Sequence, residues 1–393
     1  MRAAEILRHI VLALVLLLAA CAGPNPAPAA SPRSSPSAQP SARASASPAP
    51  SPTPSAGTAV AYGVLAAIDR NSQQFTISIV GVDGHVVASA KGTSAEPTTC
   101  RGIGALLPNP AVSTSNSRVY FLDGSTVKYL APDGKTGSLS NTPAGSANTA
   151  VEFAVSPDDS QIAVELTQYS SPVQEFIEVG PVAQQPGVQI YSANMPGSAA
   201  SVPVGWHAGN LVLAYYPGTC TQGGGPGVGL PLSYHVSSAS DAHRIATVGS
   251  DAGNCFFGGV PSPAGVVCSD FSSTAATMFD WSGASVHLVP ADPQTYSFAV
   301  SPDGARVAMC CTAGGGIRVV GIAGAPTVTT DVQRNTFGWI DATHILIGAQ
   351  GAQEQALVWD IAANKQTPVA AQGEFRGRIP GTLDVGRGTG TGA

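Results

Sequence analysis

The feature that most restricts what this chain can fold into is a phrase written twice: FAVSPDGARVAMCC at 298–311 and FAVSPDDSQIAVEL at 153–166. Each copy runs from an apolar stretch into Ser-Pro-Asp and then into a second apolar stretch. Proline presets the first central angle of a turn, aspartate ties the turn with its side chain, and glycine accepts positive φ. The phrase therefore predicts a tight strand–turn–strand unit. Looser versions occur at 111–121, 203–214, 257–268 and 337–347. A second phrase, an alternating strand, a small polar turn and another strand, is read at 75–87, 126–137, 187–198, 232–243, 277–288, 317–328 and 357–368. Asp-Gly at 83–84 and 133–134 between alternating apolar residues is a strong hairpin signal. No segment after residue 57 shows a helical period.

Two hairpins in each period of about 45 residues are the signature of a β-propeller blade. The predicted class is all-β, a propeller of seven blades, with six or eight still open and an array of two-layer β-sandwiches as the structural rival. The SPDG phrases resemble the repeats of TolB-like and dipeptidyl-peptidase-like propellers, and Val358-Trp359-Asp360 resembles the end of a WD-repeat third strand. The resemblance spans roughly 60–373 and rests on two close copies, the others being degenerate. The first blade has no evident innermost strand ahead of Gly63, so 374–386 is expected to supply it and close the ring.

The N-terminus is a targeting segment. Arg2 and Arg8 precede an unbroken apolar run from 10 to 20, too short to span a bilayer as a mature helix. Leu18, Ala19, Ala20 and Cys21 resemble the lipobox of bacterial lipoproteins. The resemblance implies cleavage ahead of Cys21 and attachment of diacylglycerol to its thiol, with palmitate-type acyl chains. More than one chain on a residue is what stable anchoring needs. Residues 22–57 are almost only Ala, Ser and Pro, with nothing bulky to bury, and are expected to stay extended. At about 3.1 Å per residue such a tether reaches on the order of 100 Å. The expected organisation is a signal at 1–20, a lipidated Cys21 and tether over 21–57, a propeller over 58–386 and a disordered tail over 387–393. The expected location is the extracytoplasmic side of a bacterial cell membrane.

Only 11% of the 393 residues are charged, against roughly 25% in an average protein. Beyond residue 57 there are 14 Lys and Arg against 23 Asp and Glu, a net of about −9, and no basic block. That argues against nucleic acid as a partner. Six cysteines besides Cys21 (Cys100, Cys220, Cys255, Cys268, Cys310 and Cys311) suggest disulfides in an exported chain. Metal ligation is disfavoured, since no Cys-x-x-Cys pair exists. Blade geometry places all six on one face of the ring. Cys255 is expected to pair with Cys268 rather than with Cys220. Cys310 and Cys311, as strand neighbours pointing to opposite sides, are expected to have separate partners.

No catalytic set is legible. Gly-x-Ser-x-Gly is absent, and the residues after the last blade are too few for an α/β-hydrolase domain. The loop GGGPGVG at 223–229 lacks the Lys-Ser/Thr of a phosphate-binding loop. Asp158, Asp159 and Asp303 are explained by turn chemistry. Trp206, His207, Tyr234 and His235 are the candidate ligand-facing residues, each with a competing reading as a partly buried strand residue. No cofactor is implied. The expectation is a monomeric, membrane-anchored, non-catalytic binding or scaffold module for an envelope protein or glycan. The competing class is an exported propeller hydrolase, lyase or sugar dehydrogenase working in the central channel.

Overall fold

In a computed structural model, the chain is described over 60–381 apart from 70, 96–98, 101–102, 105–109, 197–198, 217–230, 251–254, 256–260, 270–273, 292–294, 296, 312–314, 323–326, 335 and 350–353. The predicted signal, lipobox, tether, Cys220 and C-terminal tail lie outside the described residues. The described body is all-β, with seven antiparallel blade sheets arranged as a seven-bladed propeller and a separate two-stranded ladder of Thr99–Cys100 with Ile103–Gly104. Blade 2 holds Val112–Thr114, Val119–Asp123, Thr126–Leu130 and Thr136–Asn141; blade 3 holds Thr149–Val155, Gln161–Gln168, Val173–Pro181 and Val188–Met195. Blade 4 consists of Ala200–His207, Asn210–Tyr216, Ser233–Ser237 and Arg244–Gly249. In blade 5 three strands are described, Val266–Cys268, Ala275–Phe279 and Ser285–Pro290. Blade 6 is Ser297–Val300, Arg306–Cys310, Arg318–Gly321 and Val328–Thr329, and blade 7 is Phe337–Trp339, His344–Ile347, Leu357–Asp360 and Lys365–Pro368.

Blade 1 is built from both ends of the body. Tyr62–Ile68, Gln74–Gly81 and Val86–Thr93 come from the start, and Glu374–Ile379 pairs antiparallel with Tyr62–Ile68 as the innermost strand. The closure expected from 374–386 is thus made by its first six residues. One phrase was read out of place. The segment 187–198 is not a hairpin; Val188–Met195 is one continuous outer strand, and its partner is Val173–Pro181. The sequence VQEFIEVGP interleaves acids with apolar residues, and this hides its strand character.

What holds the ring is a set of seams. Each sheet carries apolar side chains on both faces, and each of the seven joints has its own core. Phe153, Val155, Ile162 and Val164 of blade 3 meet Tyr120, Leu122 and Val127 of blade 2. Ala154, Ala163, Ile177 and Val179, on the opposite face of blade 3, meet Trp206, Leu211 and Leu213 of blade 4. The same alternation continues through blades 5, 6, 7 and 1 and back to blade 2. Side chains that alternate in direction along a strand are what allow one sheet to serve two neighbours.

The repeated phrase has a structural meaning beyond its turn. Ser301 Oγ donates to Asp303 Oδ1 (2.5 Å) and accepts from Arg306 N (2.9 Å), and Gly304 takes φ +70°. In the other copy Asp159 takes the positive φ, at +63°, where a non-glycine residue is uncommon. Its carboxylate compensates by reaching blade 2, accepting from Tyr120 Oη (2.7 Å) and Ser117 Oγ (2.5 Å). Turn chemistry alone therefore does not account for Asp159. Next to each phrase sits a tryptophan of the following blade. Trp206 Nε1 donates to Ala154 O (3.0 Å) and Trp339 Nε1 donates to Ala299 O (2.8 Å). The carbonyl used is the same position of FAV in both copies. Arg378 spans the closing joint in a similar way, its Nε donating to Ile340 O of blade 7 (3.0 Å).

Candidate functional site

The innermost strands leave a central channel, and a cavity of about 210 Å³ opens into it among blades 1 to 5. Its wall is largely apolar: Phe153 and Val155 from blade 3, Val202, Pro203 and Trp206 from blade 4, Tyr216 behind them, and Phe375 from the closing strand. Two ionisable groups of opposite sign stand in this wall, Glu152 and Arg376. Glu152 is carried by the blade 3 strand that begins the repeated phrase and is buried, at 7% exposure. Burial pushes its carboxyl up to about 8, opposed by the charge of Arg376. At neutral pH it is mainly a neutral acid that can donate a hydrogen bond.

Arg376 owes its place to an irregularity in strand pairing. Gly377 pairs with Val64 and Phe375 pairs with Leu65, so the register skips Arg376. A bulge of this kind re-aims a side chain out of the ladder. The guanidinium is anchored by Glu374 at 2.9 Å from Nη2. Tyr216 completes the polar set; burial raises its phenol, with a further push from Glu152, so it stays protonated. The chemistry on offer is one cation, one neutral acid and one phenol in an aromatic and aliphatic wall, the mix of apolar surface and few polar groups that typifies small-ligand sites.

A row of acids leads outward from this cavity. Glu152 pairs across strands with Glu165, and Glu175 lies diagonally beyond it, paired with Thr167. Alternation puts all three on the face of blade 3 that meets blade 4. Glu165 and Glu175 are fully buried. Glu165 Oε1 accepts from Thr167 Oγ1, and Glu175 Oε1 accepts from the backbone N–H of Ser201 in blade 4. The second oxygen of each carboxyl has no hydrogen-bond partner among the described residues. Burial raises both, and Glu165 is raised further by its proximity to Glu175.

The candidates read from sequence fall in different places. Trp206 borders the cavity, its indole N–H spent on Ala154. His207 is half-buried at the end of its strand, 6.1 Å from the Trp281 ring. Tyr234 is buried edge-on to Trp281 in the blade 4–5 seam. His235 is buried and stacked on Tyr215, with Nε2 at 3.1 Å from Ser233 Oγ. The structure brings none of the other three to the cavity wall with Trp206. Glu152 and Arg376, which do line it, were missed. The available signals were an acid inside the apolar run TAVEFAV and two arginines in the closing strand EFRGRI.

Two disulfides are present among the described residues. Cys255 pairs with Cys268, as expected, beside the core between blades 4 and 5. Gly249, at φ +80°, makes room for it; a Cβ there would sit 2.3 Å from Cys255 Sγ. Cys310 pairs with Cys311, against the expectation of separate partners. That expectation assumed extended trans backbone, whereas the peptide bond between them is cis and both sulfurs fall on one side. Cys268 ends the first described strand of blade 5, and Cys310 ends the second strand of blade 6. The Cys100 side chain lies outside the described residues. No group of three His, Cys, Asp or Glu arranged to hold a metal occurs among the described residues.

No family model matches the chain, and no curated protein matches it. A solved structure described as a functionally unknown protein from Desulfotomaculum acetoxidans is similar to it, with 13% identity and a TM-score of 0.47, covering 80% of this chain and 98% of that one.

Proposed function

We propose that the chain is an extracytoplasmic lipoprotein, anchored through acylated Cys21, whose TolB-like propeller is a binding module for an envelope protein or glycan. The observation that carries the binding reading is the channel cavity. Apolar and aromatic walls enclose a guanidinium and a protonated carboxyl, groups that fix the orientation of a ligand by hydrogen bonds. The Leu-Ala-Ala-Cys end of the N-terminal apolar run supports the anchor. A propeller is rigid because neighbouring blades pack against each other all round, so it can hold a ligand without first ordering itself.

The test uses full-length protein solubilised from membranes, alongside Arg376→Ala and Tyr216→Phe. Envelope glycan fragments and extracted envelope proteins are presented to each, and retention is measured. A ligand retained by the native protein and lost from Arg376→Ala is the expected result; equal retention by the variants rejects the cavity as the seat. For the anchor, Cys21→Ala is expected to abolish acyl incorporation and the mobility change on processing. Unchanged labelling with fatty acid rejects it.

One observation favours a second reading, an exported propeller enzyme. A carboxyl raised to about 8 beside a cation in a channel is poised as a general acid near neutral pH. Turnover of a glycan or ester by the native protein, lost in Glu152→Gln with binding retained, would establish that reading over the first.

A further inference from the structure

Three carboxyl groups in successive strands share one face of blade 3, and none has a cation of the described residues hydrogen-bonded to it. Glu165 and Glu175 are fully buried, and each keeps one oxygen without a partner among the described residues. A buried carboxylate left in this condition is costly, whereas a carboxylic acid is far cheaper and can donate to its neighbour. The row also bears on the assembly of the ring, because Glu175 holds the Ser201 N–H at the start of the first strand of blade 4. Its inner end, Glu152, is part of the cavity wall.

We propose that the row Glu152–Glu165–Glu175 is a proton-operated latch between blades 3 and 4, closed while its carboxyls carry protons and loosened when they release them to solvent. Two like charges on diagonal neighbours in a dry seam repel strongly, so ionisation of one holds the proton on the other. Among the described residues the groups that face the row are few. From blade 3 Tyr191 lies beyond Glu175, and Tyr169 follows the Glu165 strand. From blade 4 come Tyr215 with His235 stacked on it, Tyr216 near Glu152, and Arg244, which acts on Tyr191. From blade 1 comes Arg376, which within the row acts on Glu152 and is itself paired with Glu374. The single guanidinium at the inner end does not compensate three carboxylates, so protons do. Loss of protons would move blade 4's first strand, and with it Val202, Pro203 and Trp206 of the cavity wall. The latch therefore couples the seat proposed above to external pH, although its own behaviour can be read without any ligand.

The test is hydrogen exchange on the full-length protein at about pH 5 and about pH 9, corrected for the intrinsic pH dependence of exchange, with blades 6 and 7 as the internal standard. The expected result is a loss of protection of roughly tenfold or more at the higher pH in Val173–Pro181 and Ala200–His207 relative to the standard. In Glu165→Gln with Glu175→Gln, which cannot ionise, that loss should vanish. Should the double variant not fold, infrared spectra of the native protein serve instead. A protonated-carboxyl band at neutral pH that disappears as pH rises supports the latch. Equal protection at both pH values, absence of that band, or protection at high pH that calcium restores and a chelator removes, would overturn it. None of these outcomes depends on the cavity binding anything, so the latch and the binding reading fail separately.

Discussion

Replacing Trp339 by phenylalanine tests how the blades are joined. The side chain is 3% exposed and its indole N–H donates to Ala299 O at 2.8 Å. Ser301 N–H already bonds Arg306 O, and bonded pairs alternate along an antiparallel ladder, so Ala299 opposite Ala308 is bonded as well. The indole is therefore a second donor to a carbonyl that keeps its first. Its loss should cost about 1 kcal/mol rather than the larger penalty of an orphaned group. The smaller ring adds about 1 kcal/mol of lost burial, for a total of roughly 2 kcal/mol. Alanine at the same place should cost about 3–5 kcal/mol. Trp206→Phe, which breaks the matching bond to Ala154, should cost a similar amount, and the two should add, because they sit in different seams. The assay is urea unfolding followed by far-ultraviolet circular dichroism, which does not depend on the tryptophans removed. If phenylalanine costs under about 0.5 kcal/mol, or as much as alanine, the account of the indole as a second donor is wrong. If the double variant departs from additivity by more than about 0.5 kcal/mol, the seams are not independent.

Cys255→Ser with Cys268→Ser opens a loop of sequence separation 13 and should lower stability by about 3 kcal/mol, lost equally when the native protein is unfolded under reducing conditions; identical urea midpoints with and without reductant would contradict this. Truncation after residue 373 removes the innermost strand of blade 1 and should give a chain that unfolds without cooperativity and binds a hydrophobic dye; a sharp transition would contradict closure. Glu152, raised from 4.5 to about 8, contributes stability that is complete below about pH 4.5 and lost as pH rises through 8. The span is up to about 5 kcal/mol, so melting temperature should fall toward alkaline pH in the native protein, and less steeply in Glu152→Gln. A melting temperature that rises from about pH 5 to about pH 9 would reverse the sign of the argument.

The fold was legible because its unit is local. A turn such as Ser301–Gly304 declares itself in four residues, and the same phrase recurring at blade intervals implies stacking of like units. Val188–Met195 shows where this reading loses force. The hairpin was placed over 187–198, too late along the chain, and the true partner strand carries Glu175 and Glu178. The cavity was less legible because its two ionisable members come from strands far apart in the chain. Arg376 needs a skipped register, which no local pattern announces. The vicinal cysteine pair was hidden for a related reason: alternation is a property of trans backbone, and the peptide between Cys310 and Cys311 is not trans.

The strand Tyr62–Ile68 finds its inner neighbour only in Glu374–Ile379. A chain synthesised from its N-terminus delivers the first of these at the outset and the second at the close. During the interval an apolar edge stands ready to recruit any passing strand, including one from another copy. Folding of such long-range pairing is slow, so the period of greatest hazard for this protein is the interval before its last blade arrives, when the open edge of the first blade has no native partner.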